Sequence, residues 1–119
     1  MIDFTDEILT LVQESKVKNG LLVAHLPHAT AALILNEGEG GVMQDILNKV
    51  EELVPQRGGY QHDRIDDNAH AHLKSAFLGS TQVLPIVDGK VVRGTWQNFL
   101  VIEQDGPRRR TLAIFVIGE

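Results

Sequence analysis

The chain has 119 residues, 43% hydrophobic and 23% charged, with no cysteine and a formal net charge of −5, which describes one globular domain spanning 1–119. Disulfides, thiolate metal sites and cysteine nucleophiles are excluded, no apolar run approaches the ~18 residues of a membrane-spanning helix, and the sole basic cluster, Arg108-Arg109-Arg110, is too short for a nucleic-acid track. The acidic N-terminal stretch MIDFTDEILT lacks the basic region of a secretory leader, so a cytoplasmic protein with no membrane or nucleic-acid partner is expected.

A first helix is predicted from Thr5 or Asp6, with Ile8, Leu9, Leu11 and Val12 as its apolar stripe. It ends near Lys18-Asn19-Gly20, where Gly20 can take a left-handed cap. Two strands follow, LLVAHL and, beyond Pro27, TAALILN; both are apolar on alternating faces, which predicts burial on both sides. His25 sits within the first strand and reads as structural, whereas His28 falls at the junction between the two. The segment GEGGVMQDILNKVEELVP is the clearest helix: Met43, Ile46, Leu47, Val50, Leu53 and Val54 share a face, and Pro55 stops it. The glycines ahead of it read as a flexible turn, because Glu37 and Glu39 would repel a phosphate there.

The polar loop QRGGYQHDRIDDN is long for a small domain and chemically rich, a combination that points to function. Asn68 then caps a helix, NAHAHLKSAFLG, on which Ala69, His72, Leu73, Ala76 and Phe77 form the inward face while His70 and Lys74 point elsewhere. The remainder reads as β structure: TQVLPIV, a hairpin at Asp88-Gly89, then KVVRGTWQNFLVIEQ with a bulge at Gly94 and Trp96 in the core. A turn at DGPRRR leads into TLAIFVIG, whose two faces are both apolar; an oligomer interface would explain such a strand in so small a protein.

Four of the five histidines lie between His28 and His72. His72 on its helix reads either as a satisfied core histidine or, with His62 in the polar loop and His28 at the strand break, as part of a three-imidazole metal site with an open position. His70 and His72 diverge by about 200° on a helix and cannot share an ion. Among the carboxylates, Glu37 stands out because an apolar strand delivers it into a glycine-rich turn, where it can act as a general base; Asp45, Glu103 and Asp105 read as caps or solvated groups unless the fold gathers them. Gln97 is a candidate ligand contact, and the arginine fork of Arg108 to Arg110 suits phosphate.

The series HATAALILNE, Asp45, LVP, YQHD, DNAHAHLKSAFLG, PIVDG, GTWQ and DGPRRR resembles the YjbQ-like family, often labelled secondary thiamine-phosphate synthase, over nearly the whole chain and in order. The family usually has H-T-T-A where this chain has His28-Ala29-Thr30-Ala31, often has an acidic residue at the place of His70, and usually carries a further strand ahead of the segment that begins here at Asp3. The resemblance implies an α+β fold, a single compact domain with a twisted, mostly antiparallel sheet and packed helices. It also implies a homotrimer with sites near subunit boundaries. It maps metal-binding positions onto His28, His62 and His72, for a divalent ion, zinc by ligand type and magnesium as the alternative. Its polar positions map onto Asn36, Glu37, Asp45, Asn68, Gln97, Arg108 and Arg110, with Glu37, His62 and Asp45 as the catalytic groups and the rest on a phosphorylated substrate. Three functions follow as expectations: joining a hydroxymethylpyrimidine diphosphate to a thiazole phosphate, metal-assisted hydrolysis of a phosphorylated small molecule, and non-enzymatic binding of a metal or anion.

Overall fold

The structure is a computed structural model that describes residues 1–119. Its elements run β1 (Ile2–Asp3), α1 (Thr5–Ser15), β2 (Gly20–His25), β3 (Ala31–Asn36), α2 (Gly40–Leu53), a short 3₁₀ turn (Gln61–Arg64), α3 (Ala69–Leu78), β4 (Thr81–Val87), β5 (Lys90–Val91), β6 (Asn98–Glu103) and β7 (Ala113–Gly118). The expected α+β class is what forms. The strands make two antiparallel sheets, in the orders β1-β6-β3 and β5-β4-β2-β7.

The core follows from strand alternation. Leu22, Ala24, Leu84 and Ile86 from one sheet meet Ala31, Leu33, Phe99 and Val101 from the other, with Ile8 and Val12 of α1 and Leu26 after β2 completing the cluster. Each of the larger side chains contributes about 1.5–3 kcal/mol by leaving water. The intervening residues Ala32, Leu100 and Ile102 are also buried, on the face that α3 covers by packing on β3. Burial on both faces therefore holds for β3 and β6. It fails for β2 and β7, whose second face leaves Leu21, Phe115 and Ile117 exposed.

Local chemistry sets the element ends. Phe4, rather than Thr5 or Asp6, takes the cap position of α1 without a side-chain bond, and the Asp3 carboxylate just ahead of it accepts the Thr5 N–H at 2.9 Å and the Thr5 hydroxyl at 2.6 Å. Burial disfavours the Asp3 charge, but the Thr5 and Asn98 donors outweigh it and hold the carboxyl below its ordinary range. The helix stops earlier than expected, at Lys16, which adopts the left-handed conformation at φ 61°. Gly20 instead opens β2, where a Cβ would collide with the Ile117 carbonyl of β7; glycine is what lets those two strands approach. At α2, Glu39 accepts the N–H groups of Gly41 and Val42, each at 2.8 Å, and these donors lower its carboxyl pKa.

Of the two helices on this side, α3 departs from its predicted face and α2 buries its face only in part. In α2 the predicted stripe is only partly covered: Met43, Ile46, Leu47 and Val50 are half-buried, and Leu53 is exposed. In α3 the inward face is Ala69, His70, Ala71, Lys74 and Ser75, while Leu73 and Phe77 face outward. Small residues let α3 lie close on β3, and the buried polar groups satisfy one another: the Lys74 ammonium donates to Glu51 of α2 and, at 3.0 Å, to His70 Nδ1. Beyond β5 the chain leaves its sheet through a turn at residues 94–97 before entering β6 in the other sheet, so Trp96 is exposed on that turn rather than in the core.

Candidate functional site

The antiparallel register of β3 and β6 pairs Ala31 with Glu103 and Asn36 with Asn98. The polar candidates therefore divide between two ends of one sheet, about 17 Å apart at ~3.4 Å per residue. Asn36, Glu37 and Gln97 lie at one end; Glu103 and the turn carrying Asp105, Arg108 and Arg110 lie at the other. Asn36 uses its side-chain oxygen to accept the Glu37 N–H at 2.8 Å. The Gln97 carboxamide accepts the Gly94 N–H at 2.8 Å and closes its own turn. Asp45 is exposed on α2. In one chain Glu37 does not meet the histidines, because a whole strand separates it from the end they occupy.

At the other end the fold gathers a connected group. His62 comes from the 3₁₀ turn and His72 from α3, and their rings meet edge to face with centroids 4.8 Å apart. His62 Nε2 lies 3.0 Å from the Asn68 side-chain oxygen, and the Asn68 amide donates to Asp105 at 2.9 Å. Arg108 donates to the same Asp105 oxygen from Nε and Nη2 at 3.2 and 2.9 Å, and from Nε to the Asp105 carbonyl at 2.8 Å. The Asn68 donor, followed by Arg108, holds the Asp105 carboxyl below its usual range against the opposing effect of burial. Asn68 does occupy the cap position of α3, but it makes no capping bond; the Asp63 carboxylate accepts the Ala69 N–H instead, at 3.2 Å. A cavity of about 410 Å³ opens beside the pair, lined by Tyr60, Gln61, His62, Ala69, His72 and Leu73.

Arg110 is not part of this opening. Its guanidinium meets both Glu103 carboxylate oxygens at 2.6 Å and donates to the Thr30 hydroxyl at 2.8 Å. Arg110 lowers the Glu103 carboxyl pKa, and Glu103 raises that of Arg110. Arg110 is thus an internal tie, with the Thr30 hydroxyl part of it, and together with Arg108 it lines a separate cavity of about 350 Å³.

His28 also sits apart. Its Nε2 accepts the Thr111 N–H at 2.8 Å and lies 3.2 Å from the Thr111 carbonyl, so both contacts of that nitrogen are to one backbone residue. No three His, Asp or Glu side chains of the chain are grouped so as to hold a metal ion. The three-imidazole site therefore does not assemble within one chain: His62 and His72 come together, and His28 does not join them.

Asp105 was the residue least visible in this group. Its place at the start of DGPRRR was a signal, but only the fold brings that turn to Asn68.

The fold and this polar site define a small two-sheet α+β protein with a histidine-centred opening at one sheet end. The sequence profile described as "UPF0047 protein YjbQ-like" matches residues 1–119, and the chain belongs to that family. It is 46% identical over 114 residues to a UPF0047 protein of Archaeoglobus fulgidus, covering 96% of this chain and 88% of the relative. Over 120 residues it is 35% identical to UPF0047 protein YugU of Bacillus subtilis, covering 99% and 89%. Among solved structures, a YbjQ-like protein of Sulfolobus solfataricus superposes with a TM-score of 0.97 at 45% identity, covering 99% of this chain and 86% of that one. A protein of Aeropyrum pernix superposes at 0.96 with 41% identity, covering 99% and 88%.

Proposed function

We propose that the protein is a small-molecule enzyme that takes a phosphorylated substrate at the His62–His72 cavity. The observation that carries this reading is the chain of hydrogen bonds from His62 through Asn68 and Asp105 to Arg108, which links an imidazole pair to a half-exposed guanidinium. Arg108 directs Nε and Nη2 at Asp105 and, with Arg110, lines a second cavity; a guanidinium fork suits phosphate. Imidazole is the side chain fitted to exchange protons near neutral pH.

The reaction assigned to the site is thiamine-phosphate synthesis, in line with the label attached to the resembling family. The thiazole nitrogen attacks the methylene carbon of hydroxymethylpyrimidine diphosphate. A C–N bond forms, the C–O bond breaks, and pyrophosphate leaves with the electron pair. Arg108 offsets charge on the leaving group, and a protonated imidazole of the pair donates to it. Hydrolysis of the same diphosphate is the second reading, favoured by the exposure of His62 to solvent, since water is then at hand as the competing nucleophile. A divalent ion, zinc by the preference of imidazole, belongs to this reading only if a second copy completes its ligands, because one chain supplies two adjacent imidazoles. A homotrimer would meet that need, and the uncovered apolar face of β2, β4 and β7 supports assembly.

The test is to supply the pyrimidine diphosphate with and without thiazole phosphate and to follow both products, in the wild-type protein and in His72→Ala. Thiamine phosphate and pyrophosphate in equal amounts, with rates lowered roughly 100-fold or more in the variant, is the expected result. Diphosphate breakdown without thiamine phosphate would identify a hydrolase. No turnover, together with stoichiometric binding of zinc or phosphate, would identify a binding protein.

A further inference from the structure

We propose that Asp105 and Asn68 are positioning residues that hold neutral His62 in its Nε2–H tautomer, leaving Nδ1 as the only basic atom of that ring. The proposal rests on the assignment of His62 to the site, and its geometry comes from donor and acceptor inventories alone. An ionised carboxylate can only accept, and Asp105 is tied to Arg108 at 2.9 Å. Whichever end of the Asn68 amide faces Asp105 must therefore be the NH₂ group, which lies 2.9 Å away. The amide oxygen is then turned to His62 Nε2, at 3.0 Å. That oxygen can only accept, so Nε2 carries the proton.

Donation runs in one direction, from His62 to Asn68 to Asp105. Asn68 is 7% exposed, which limits competition from water for either of its ends. Taking up a proton, or a cation, at Nδ1 leaves every bond of this chain in place, because the Nε2–H donor is present in both states. The amide sets which nitrogen is basic without putting a carboxylate directly on the ring.

His28 is the internal contrast. Nε2 of His28 lies 2.8 Å from the Thr111 N–H and 3.2 Å from the Thr111 carbonyl; the nearer partner can only donate, which makes Nε2 an acceptor and puts the proton on Nδ1. The two rings should hold opposite tautomers in the same molecule.

The experiment is a two-bond proton–nitrogen correlation spectrum of the full chain labelled with ¹⁵N-histidine, recorded well above the ordinary imidazole pKa of ~6.5. His62→Gln and His28→Gln supply the assignments. Wild-type protein is expected to show a protonated, pyrrole-like Nε2 and a bare, pyridine-like Nδ1 for His62, with the reverse pattern for His28. Asp105→Ala removes the acceptor that orients the Asn68 amide, so that either amide end can turn to His62. The His62 nitrogens should then move to intermediate positions while the His28 pattern stays. Asn68→Ala, which removes the acceptor, should give the same averaging. A wild-type His62 protonated on Nδ1, or a His62 pattern unmoved by Asp105→Ala, overturns the proposal. No substrate enters the measurement, so its outcome is independent of whether thiamine phosphate is formed.

Discussion

Glu103 and Arg110 show how a residue that looks like a ligand contact can also tie the fold together. Each carboxylate oxygen of Glu103 meets a guanidinium nitrogen at 2.6 Å, and the Arg110 side chain is 14% exposed. Such a pair fixes the turn that carries Asp105 and Arg108 against β3. Glu103→Gln leaves a largely buried guanidinium without its counter-charge and is expected to cost about 2 kcal/mol in urea denaturation at neutral pH. The sign with pH follows from the lowered carboxyl. The folded pKa of Glu103 lies below the ordinary 4.5, so on acidification the unfolded chain takes up the proton first. The pair's stabilisation is complete above that ordinary value and is lost as pH falls through the folded one. The gap between wild type and Glu103→Gln should close over the same window; a gap independent of pH would show that the charge has no part in it.

At the scale of elements, the contrast lies between α2 and α3. α3 lies on β3 with small residues and a satisfied Lys74–His70–Glu51 group. Burial, and then the neighbouring Lys74, lower the His70 pKa, with Glu51, Asp105 and Asp63 acting in the opposite sense. Lys74 is in turn the main cause of the lowered Glu51 carboxyl. α2 fully buries none of its own side chains, and its polar tie to the domain body is Glu51 on Lys74. Helical hydrogen bonds alone seldom hold a 14-residue helix in water. In dilute monomer, hydrogen exchange of α2 amides is expected to be faster than that of β3 and β6 by several orders of magnitude. Exchange of α2 as slow as that of β3 in a verified monomer would contradict this account. Slow exchange in an assembled species alone would show that a second copy covers the helix.

The whole molecule is extended for its length. Its radius of gyration is 15.8 Å, with extents of 50 × 29 × 20 Å, against about 13.5 Å for a compact chain of this size. The outer face of the second sheet carries Leu21, Val83, Phe115 and Ile117, each 44–60% exposed. The register places Leu21 beside Ile117 and Val23 beside both Val83 and Phe115, so the patch is contiguous across three strands. Contiguous apolar patches of this kind mark interaction surfaces, and assembly of identical chains is the proposed use. Light scattering is expected to give three times 13.1 kDa for the wild type and the single-chain mass for Phe115→Glu. A wild-type mass of one chain would remove the trimer from the proposal, and an unchanged mass in the variant would remove this face from the interface.

Alternation and periodicity located β2, β3, β4, β7 and all three helices, because those signals are local. They also marked β3 as buried on both sides, which the structure bears out through α3 on one face and the second sheet on the other. Ordered motifs sufficed for the family, since they register side-chain identity along the chain. What escaped was every choice made between distant segments. The inward face of α3 was decided by close packing on β3 and by a lysine that found two partners, not by where the larger apolar residues fell. The β3–β6 register alone separated Glu37 from the histidines, and a Thr111 N–H took the lone pair of His28. The pairing of His62 with His72, and their connection to Arg108, likewise depend on a turn some forty positions away reaching Asn68. Residue types and local periods are properties of the chain; which donor meets which acceptor depends on the two sheets closing over one core, and only the tertiary structure decided that.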